Sequence, residues 1–284
     1  MEKIRKNGQV IASVFFTLIL ATSSIAWGPT GHKTVAYIAE DHLTAKTKQK
    51  VYGILGLHDG EDLATVSTWA DDVRTKPKYK KTAAWHYINY DVRTENKPED
   101  YIKYSKNGND IITQVQKEIE ELKTTSDSDK QKENLKFLIH FIGDITCPVH
   151  CVNDRDNGGN LKMVKLYKPA GTGRGNKMKL HAVWDRMIEF ENEEDPRELA
   201  SSLEKGITKT DISNWERGTS MDWAFESSTI AKDKIYKDFP NPGPTAGTIR
   251  LSKDYYSEMR PISDEQIEKA GIRLAATLNQ IYDK

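Results

Sequence analysis

The amino-acid sequence predicts an all-α fold: a single, mainly helical domain with long loops and room for one short hairpin. Three observations predict it. Apolar residues recur three and four apart through most of the chain, clear period-2 alternation is scarce, and the 284 residues hold no obvious internal repeat, a length that suits one large domain with a substantial core. The two cysteines, Cys147 and Cys151, are too few for a disulfide framework, so the core or bound metal must hold the domain together. Their four-residue spacing allows a bridge, a metal contact or two thiols in a helical turn.

The N-terminus has the three parts of a secretory leader. Lys3, Arg5 and Lys6 are basic, residues 10–21 are apolar, and the small residues Ser24 and Ala26 stand at the −3 and −1 positions. Cleavage is expected after Ala26, separating residues 1–26 from a mature domain over 27–284. The alternative is an uncleaved anchor, but the apolar run is short against the roughly 20 residues that span a bilayer. A secreted or periplasmic monomer without stable membrane association is expected.

Val35, Ile38 and Ala39 predict a first helix over residues 33–42, and Thr44 caps a second that stops near Gly53 to Gly56. A third spans residues 62–74 and is closed by Pro77. Ile111, Ile112, Val115, Ile119 and Leu122 mark a fourth. A polar turn over 125–129 leads into the fifth, whose end, residues 135–142, is apolar on nearly every side except at Lys136 and His140. That is the pattern of a buried helix, and it stops before Pro148. Asp195 and Pro196 are a cap and first-turn pair, residues 219–232 read as helical, and Ser263 with Gln266 forms a capping box for the last helix. Residues 154–177 and 238–248, rich in Gly, Pro and Asn with Lys or Thr, read as loops, the first with room for the hairpin.

Lys plus Arg and Asp plus Glu both total 42, so there is no global basic field to hold a phosphate backbone. Any binding of nucleic acid must be local. The seven histidines carry the chemical signal. His140 and Asp144, four apart, project from one face of the apolar fifth helix. Burying them is costly without compensation, and a divalent metal is the strongest compensation available. His181 and Asp185 repeat the spacing in HAVWD, and His150 follows Pro148. Asp71 in WADD and His86 in WHYINY are flanked by aromatics, and His32 lies in WGPTGH close to the expected mature start. Cleavage after Ala26 would free the Trp27 amine beside its own carbonyl oxygen, a pair able to chelate a metal. Taken singly, each His–Asp pair also fits a surface ion pair or a hydrogen-bonded core histidine.

Assembled, these residues closely resemble the zinc-dependent single-strand nucleases and 3′-nucleotidases of fungi and plants, with the chain as a bacterial member. They are more distantly similar to the bacterial zinc phospholipases C of the same fold. The motifs are WGxxGH, WAD, WHYIN, HxxGDxxxPxH, GGN at Gly158 to Asn160, and LHxxWD, running from Trp27 to the last helix. The resemblance implies three zinc ions: one on Asp71, His86, His140 and Asp144; one on His150, His181 and Asp185; one on Trp27, His32 and the shared Asp144. It implies a phosphodiesterase acting on single-stranded DNA, RNA and 3′-nucleotides, in which a zinc-bridging hydroxide attacks phosphorus in line and leaves 5′-phosphate products. Asp71, Arg74 and Asp144 would serve catalysis, Arg74 by neutralising phosphate charge. Tyr87 and Asn89 would meet the base, although fungal members carry aspartate where this chain has Asn89. They also lack Cys147 and Cys151.

The nearest alternative is phospholipase C activity on phosphatidylcholine-type lipids. It would put glutamate where Asp185 stands. A zinc-stabilised binding protein without turnover is the remaining reading. No Asn-x-Ser/Thr sequon is present, so N-glycosylation is not expected.

Overall fold

The computed structural model describes residues 27–167, 177–190, 195–237, 239 and 249–283. The expected leader over 1–26, and most of the predicted loop residues 168–176 and 238–248, lie outside the described residues.

Helix α1 (Pro29–Asp41) begins four residues before its predicted start, because Pro29 sits in the first turn, where its missing N–H is no loss. Thr44 caps α2 (Ala45–Leu55), and Gly56 closes it in the left-handed region at φ 68°. The predicted third helix is broken. A 3-10 turn, Leu63–Thr65, precedes the short α3 (Trp69–Val73), and Pro77 opens a 3-10 stretch, Pro77–His86, rather than only closing what came before. After α4 (Tyr101–Tyr104), α5 (Ile111–Thr124) and α6 (Ser128–Thr146) are capped by the side chains of Asp110 and Asp127.

Further on come α7 (Leu180–Asp185) and α8 (Pro196–Leu203), the latter capped by Asp195 as its sequence predicts. They are followed by α9 (Lys209–Trp215), α10 (Ser220–Ile230) with a π turn at Ala231–Ile235, and α11 (Lys253–Tyr282). Helix α11 starts ten residues before the predicted capping box. Ser252 caps it, Pro261 lies inside it, and Ser263 is fully buried. Tyr256 and Met259 are buried too, so the apolar stripe extends past the apparent cap and packing overrides the local signal.

The core is built around α6, whose residues 137–146 are all buried, with α5, α10 and α11 against it. Its last carbonyls are clamped by neighbouring side chains: Ser227 Oγ donates to Ile145 O at 2.8 Å and Gln266 Nε2 to Thr146 O at 2.9 Å. Helix α1 crosses α11 at Gly271, where a Cβ would lie 2.4 Å from Ile38 Cγ2, so only glycine permits the approach.

Two small sheets complete the architecture. Strands β1 (Tyr90–Asp91) and β2 (Val152–Asn153) pair in parallel and tie the segment after His86 to the segment after His150. Strand β3 (Met163–Lys165) lies between antiparallel β4 (Lys177–Lys179) and parallel β5 (Ile249–Arg250), so the predicted hairpin is present, with a third strand added from far along the chain.

Candidate metal centre

Six segments deliver the candidate side chains to one end of α6. His140 and Asp144 stand one turn apart on α6 with neither exposed at all. His32 comes from α1, its ring stacked on His140 at 4.0 Å between centroids and 15° between planes. Gly143 makes this stacking possible, since a Cβ there would lie 2.9 Å from His32 Nδ1. Asp71 comes from α3, His86 from the end of the 3-10 stretch, His150 from the turn Pro148–His150, and His181 and Asp185 from α7. Trp27 is buried beside Gly31 and Gly143.

The imidazoles are aimed by backbone carbonyls. His140 Nδ1 donates to Ser67 O at 2.8 Å, His150 Nδ1 to His86 O at 2.6 Å, and His181 Nδ1 to Gly158 O at 2.6 Å. Each bond holds a proton on Nδ1 and turns Nε2 inward, the usual outer support of a metal-binding histidine. At His150 and His181, where burial keeps the ring neutral, Nε2 is a free lone pair. Asp144 is the hub: Oδ2 accepts from His86 Nδ1 at 2.8 Å and lies 3.2 Å from His140 Nε2, while Oδ1 lies 3.3 Å from His32 Nε2. Asp71 lies 3.7 Å from both His86 and His140.

Two features fit a divalent cation. Among the described residues, eight of the sixteen buried side-chain atoms without a hydrogen-bond partner lie here. They are both oxygens of Asp71, Asp144 Oδ1, Asp185 Oδ1, both ring nitrogens of His32, His86 Nε2 and His140 Nε2. Leaving so many polar atoms buried and unpaired costs on the order of 1–3 kcal/mol each unless an ion collects them. Secondly, His150 Nε2 and His181 Nε2 face one another at 3.1 Å. With both protons held on Nδ1, two lone pairs oppose at that distance, and a cation between them turns the repulsion into ligation; two nitrogens on one tetrahedral zinc lie roughly 3.3 Å apart.

Electrostatics agree. Burial, with help from His140, lowers His32 to about 4, and burial, helped by His150 and to a lesser degree Lys179, lowers His181 to about 3. Burial also lowers His150. These rings stay neutral, as ligands must. Against burial, the Asp144 and Asp71 carboxylates lift His140 to about 9, and Asp144 is held well below the usual range despite its burial by His140, His32 and His86. Asp185 is pushed well up by burial and by the neighbouring carboxylates of Asp71 and Asp144. No internal cation of this group answers all three carboxylates.

Three sets have donor atoms mutually within 4.8 Å: His32, His140 and Asp144; Asp71, His86 and His140; and Cys147, His150 and Asp185. His140 is thus common to two sets, and Asp144, expected to be shared, touches His32, His86 and His140. His181 Nε2 lies 3.6 Å from Asp185 Oδ1, keeping it beside the third. Both cysteines are buried free thiols, and Cys151 donates to Ile145 O at 3.3 Å. His42 and His58 stand apart; His42 lies 3.4 Å from Glu204 and His58 is exposed.

A cavity of about 370 Å³ opens onto the centre, lined by Arg74, His86, Tyr87, Asn89, His150 and His181. Arg74 Nη1 lies 3.1 Å from Asp71 Oδ1, which fixes the guanidinium at the cavity wall. Tyr87 and Asn89 alternate with buried Ile88 and Tyr90, so an extended segment presents both to the cavity. Lys106, Asn157 and Asn160 also line it. Asn160 carries a motif signal in GGN; Lys106 and Asn157 sit in polar loops and carry none.

The sequence pattern of the S1/P1 Nuclease family matches residues 27–283. Nuclease S1 of Aspergillus oryzae is 28% identical over 93% of this chain and 95% of its own length. Endonuclease 2 of Arabidopsis thaliana is 30% identical over 93% and 94%, and Nuclease P1 of Penicillium citrinum 26% over 90% and 98%.

Proposed function

This chain belongs to the S1/P1 nuclease family, and from that premise we propose that it is a zinc-dependent nuclease of single-stranded DNA and RNA, and a 3′-nucleotidase, releasing 5′-phosphate products. The observation that carries the reading is the set of unpartnered buried donors around Asp71, Asp144 and Asp185, which open onto a cavity walled by a guanidinium and a half-exposed tyrosine.

Three zinc ions would be held by Asp71, His86, His140 and Asp144; by His150, His181 and Asp185; and by Trp27, His32 and Asp144. When bound, zinc supplies Lewis acidity toward phosphate oxygens and toward water near neutral pH. The side chains supply the rest. Arg74, anchored on Asp71, meets a phosphate oxygen and offsets the charge that grows there in the transition state. Tyr87 offers an aromatic face to an unstacked base, which favours single strands. Asn89 both donates and accepts at the base edge.

Cleavage after Ala26 completes the third set by freeing the Trp27 amine, and it implies export from the cytoplasm. No helix of the described residues is long and apolar enough to cross a membrane. The test is hydrolysis of single-stranded DNA, single-stranded RNA and 3′-AMP by the mature protein, before and after chelation and with zinc restored. Zinc-restored cleavage with 5′-phosphate ends, together with a mass-determined N-terminus at Trp27, is expected. A zinc-loaded protein that hydrolyses phosphatidylcholine and spares all three substrates would overturn the reading.

A further inference from the structure

The cavity is at the small end for a ligand pocket and takes one nucleotide-sized group. The rest of a polymer must lie outside it, and the sheet beside it has the chemistry to receive that remainder. From Leu161 to Tyr167 the chain alternates strictly. Lys162, Val164 and Leu166 are buried, while Leu161, Met163 and Tyr167 are exposed and Lys165 half-buried on the other face. Register extends that outer face across three strands: Met163 pairs with Lys179, and Lys165 stands between Lys177 and Arg250.

This arrangement is unfavourable by itself. Lys177, Lys165 and Arg250 form a row of cations on strands about 4.8 Å apart, and like charges directly opposite destabilise a sheet. Among the described residues no carboxylate pairs with any of the three or with Lys179, although the chain as a whole has equal numbers of acidic and basic residues. The same face carries Leu161, Met163 and Tyr167, three of the five exposed large hydrophobic side chains among the described residues, and a fourth, Tyr87, lies in the cavity. Cations interleaved with apolar and aromatic groups suit a polyanion with stackable bases.

The face is also continuous with the site. Asn160, on the cavity wall, immediately precedes Leu161, and Lys179 stands two residues before His181. We propose that the outer face of β4, β3 and β5 is a track for single-stranded nucleic acid beyond the scissile phosphate, with Lys177, Lys165 and Arg250 on backbone phosphates and Tyr167 and Met163 against unpaired bases. The inference deepens the nuclease reading and rests on it.

The test is the zinc-loaded mature protein carrying Lys165→Gln, Lys177→Gln and Arg250→Gln together, compared with the wild type on a 12-nucleotide single-stranded DNA and on a dinucleotide. Lys179 is left in place because its charge bears on His181. KM for the 12-mer should rise roughly tenfold at 50 mM salt, and the slope of log KM against log salt should fall by about 2, since each single-strand phosphate contact contributes about 0.7. The dinucleotide should be handled as before. Tyr167→Ala should weaken the 12-mer by roughly tenfold as well. Equal losses on both substrates, or an unchanged 12-mer KM and slope, would overturn the track. So would lost retention on phosphatidylserine vesicles with the 12-mer unaffected, which would assign the face to a membrane. If the wild type cleaves neither substrate, the nuclease reading falls separately. Anisotropy of a labelled 12-mer then decides the track, supported by binding that the triple variant loses and overturned by binding that it keeps or by none in the wild type.

Discussion

The loop over residues 153–162 touches two buried acidic clusters that solve the same electrostatic problem in different ways. In one, Asp154 and Asp156 lie under the loop with a fully buried Lys162, whose Nζ is 3.2 Å from Asp154 and 4.0 Å from Asp156. Tyr236 donates to Asp156 at 3.0 Å, and the ammonium rests over the rings of Tyr236 and Phe239. None of the buried side-chain oxygens or nitrogens of Asp154, Asp156, Lys162 or Tyr236 lacks a partner. In the other cluster, the three carboxylates of Asp71, Asp144 and Asp185 meet, among the described residues, only Arg74, 3.1 Å from Asp71, and a raised His140 as cations, with His32 and His181 held neutral. Four of the six carboxylate oxygens have no hydrogen-bond partner. A buried acidic group that brings its own cation is structural. One built without a sufficient cation is shaped for an ion from outside.

The largest expected effect follows from that contrast. Chelation should abolish hydrolysis and destabilise the fold, because an ion bound only by the native state stabilises it by about 4 kcal/mol at a thousandfold excess over Kd. For a domain of this size that is a melting shift of about 10 °C, read by thermal unfolding in zinc and in EDTA. Asp144→Asn should lose more activity than the roughly 100-fold that outer supports of a metal contribute. An unchanged melting curve on chelation would place this cluster in the same class as the Lys162 one.

Next is Lys162→Met, which breaks the self-contained cluster by leaving two buried carboxylates unanswered. Loss of one partner of a buried pair costs about 3–5 kcal/mol, and added zinc should not restore it, unlike the effect of chelation. Zinc rescue of the Lys162→Met melting temperature would erase the distinction.

Gly158 joins the two clusters and gives a smaller effect. Its carbonyl accepts from His181, its φ is 62°, and a Cβ there would meet Val149 O at 2.4 Å. Gly158→Ala should cost at least the 1–2 kcal/mol of a left-handed residue and weaken zinc at the His181 side by about 10–100-fold. Titration of metal content should show one ion lost before the others. Uniform loss of all zinc would contradict a local role.

What the sequence makes legible follows the same division. His140 and Asp144 stand out in sequence because α6 is regular, so a polar pair four apart breaks an apolar helical pattern. The caps at Thr44 and Asp195 were legible for the same local reason. Ser263 was misleading: its capping box is a four-residue signal, and the longer buried stripe of α11 overrides it. The Lys162 cluster gave no signal, since a lysine among Gly, Asn and Asp reads as a solvated loop until β3 is paired on both sides. The carbonyls of Ser67, His86 and Gly158 that aim the histidines were equally hidden, because any residue has a carbonyl and only the fold decides where it points. Tyr87 and Asn89 are legible only through the resemblance to known nucleases.

A third buried carboxylate gives the smallest and most selective effect. Glu118 on α5 is 1% exposed, has neither a lysine buried against it nor a metal-binding neighbour, and its Oε2 has no hydrogen-bond partner. Burial raises it to about 8, with Lys117 opposing and Glu121 and Glu133 adding to the rise. Here the fold's answer is a retained proton. The folded state binds that proton more tightly than the unfolded chain, whose glutamate titrates near 4.5. Its contribution is therefore complete below about pH 4.5 and declines as pH rises toward about 8, at no more than about 1.4 kcal/mol per pH unit. Glu118→Gln keeps the shape and removes the titration, so the variant should gain on the wild type as pH goes from 5 to 8. Paired thermal unfolding at the two pH values reads the gap directly. A gap that stays constant would mean that Glu118 is ionised in the fold, and that a buried carboxylate in this protein can do without cation, metal or proton alike.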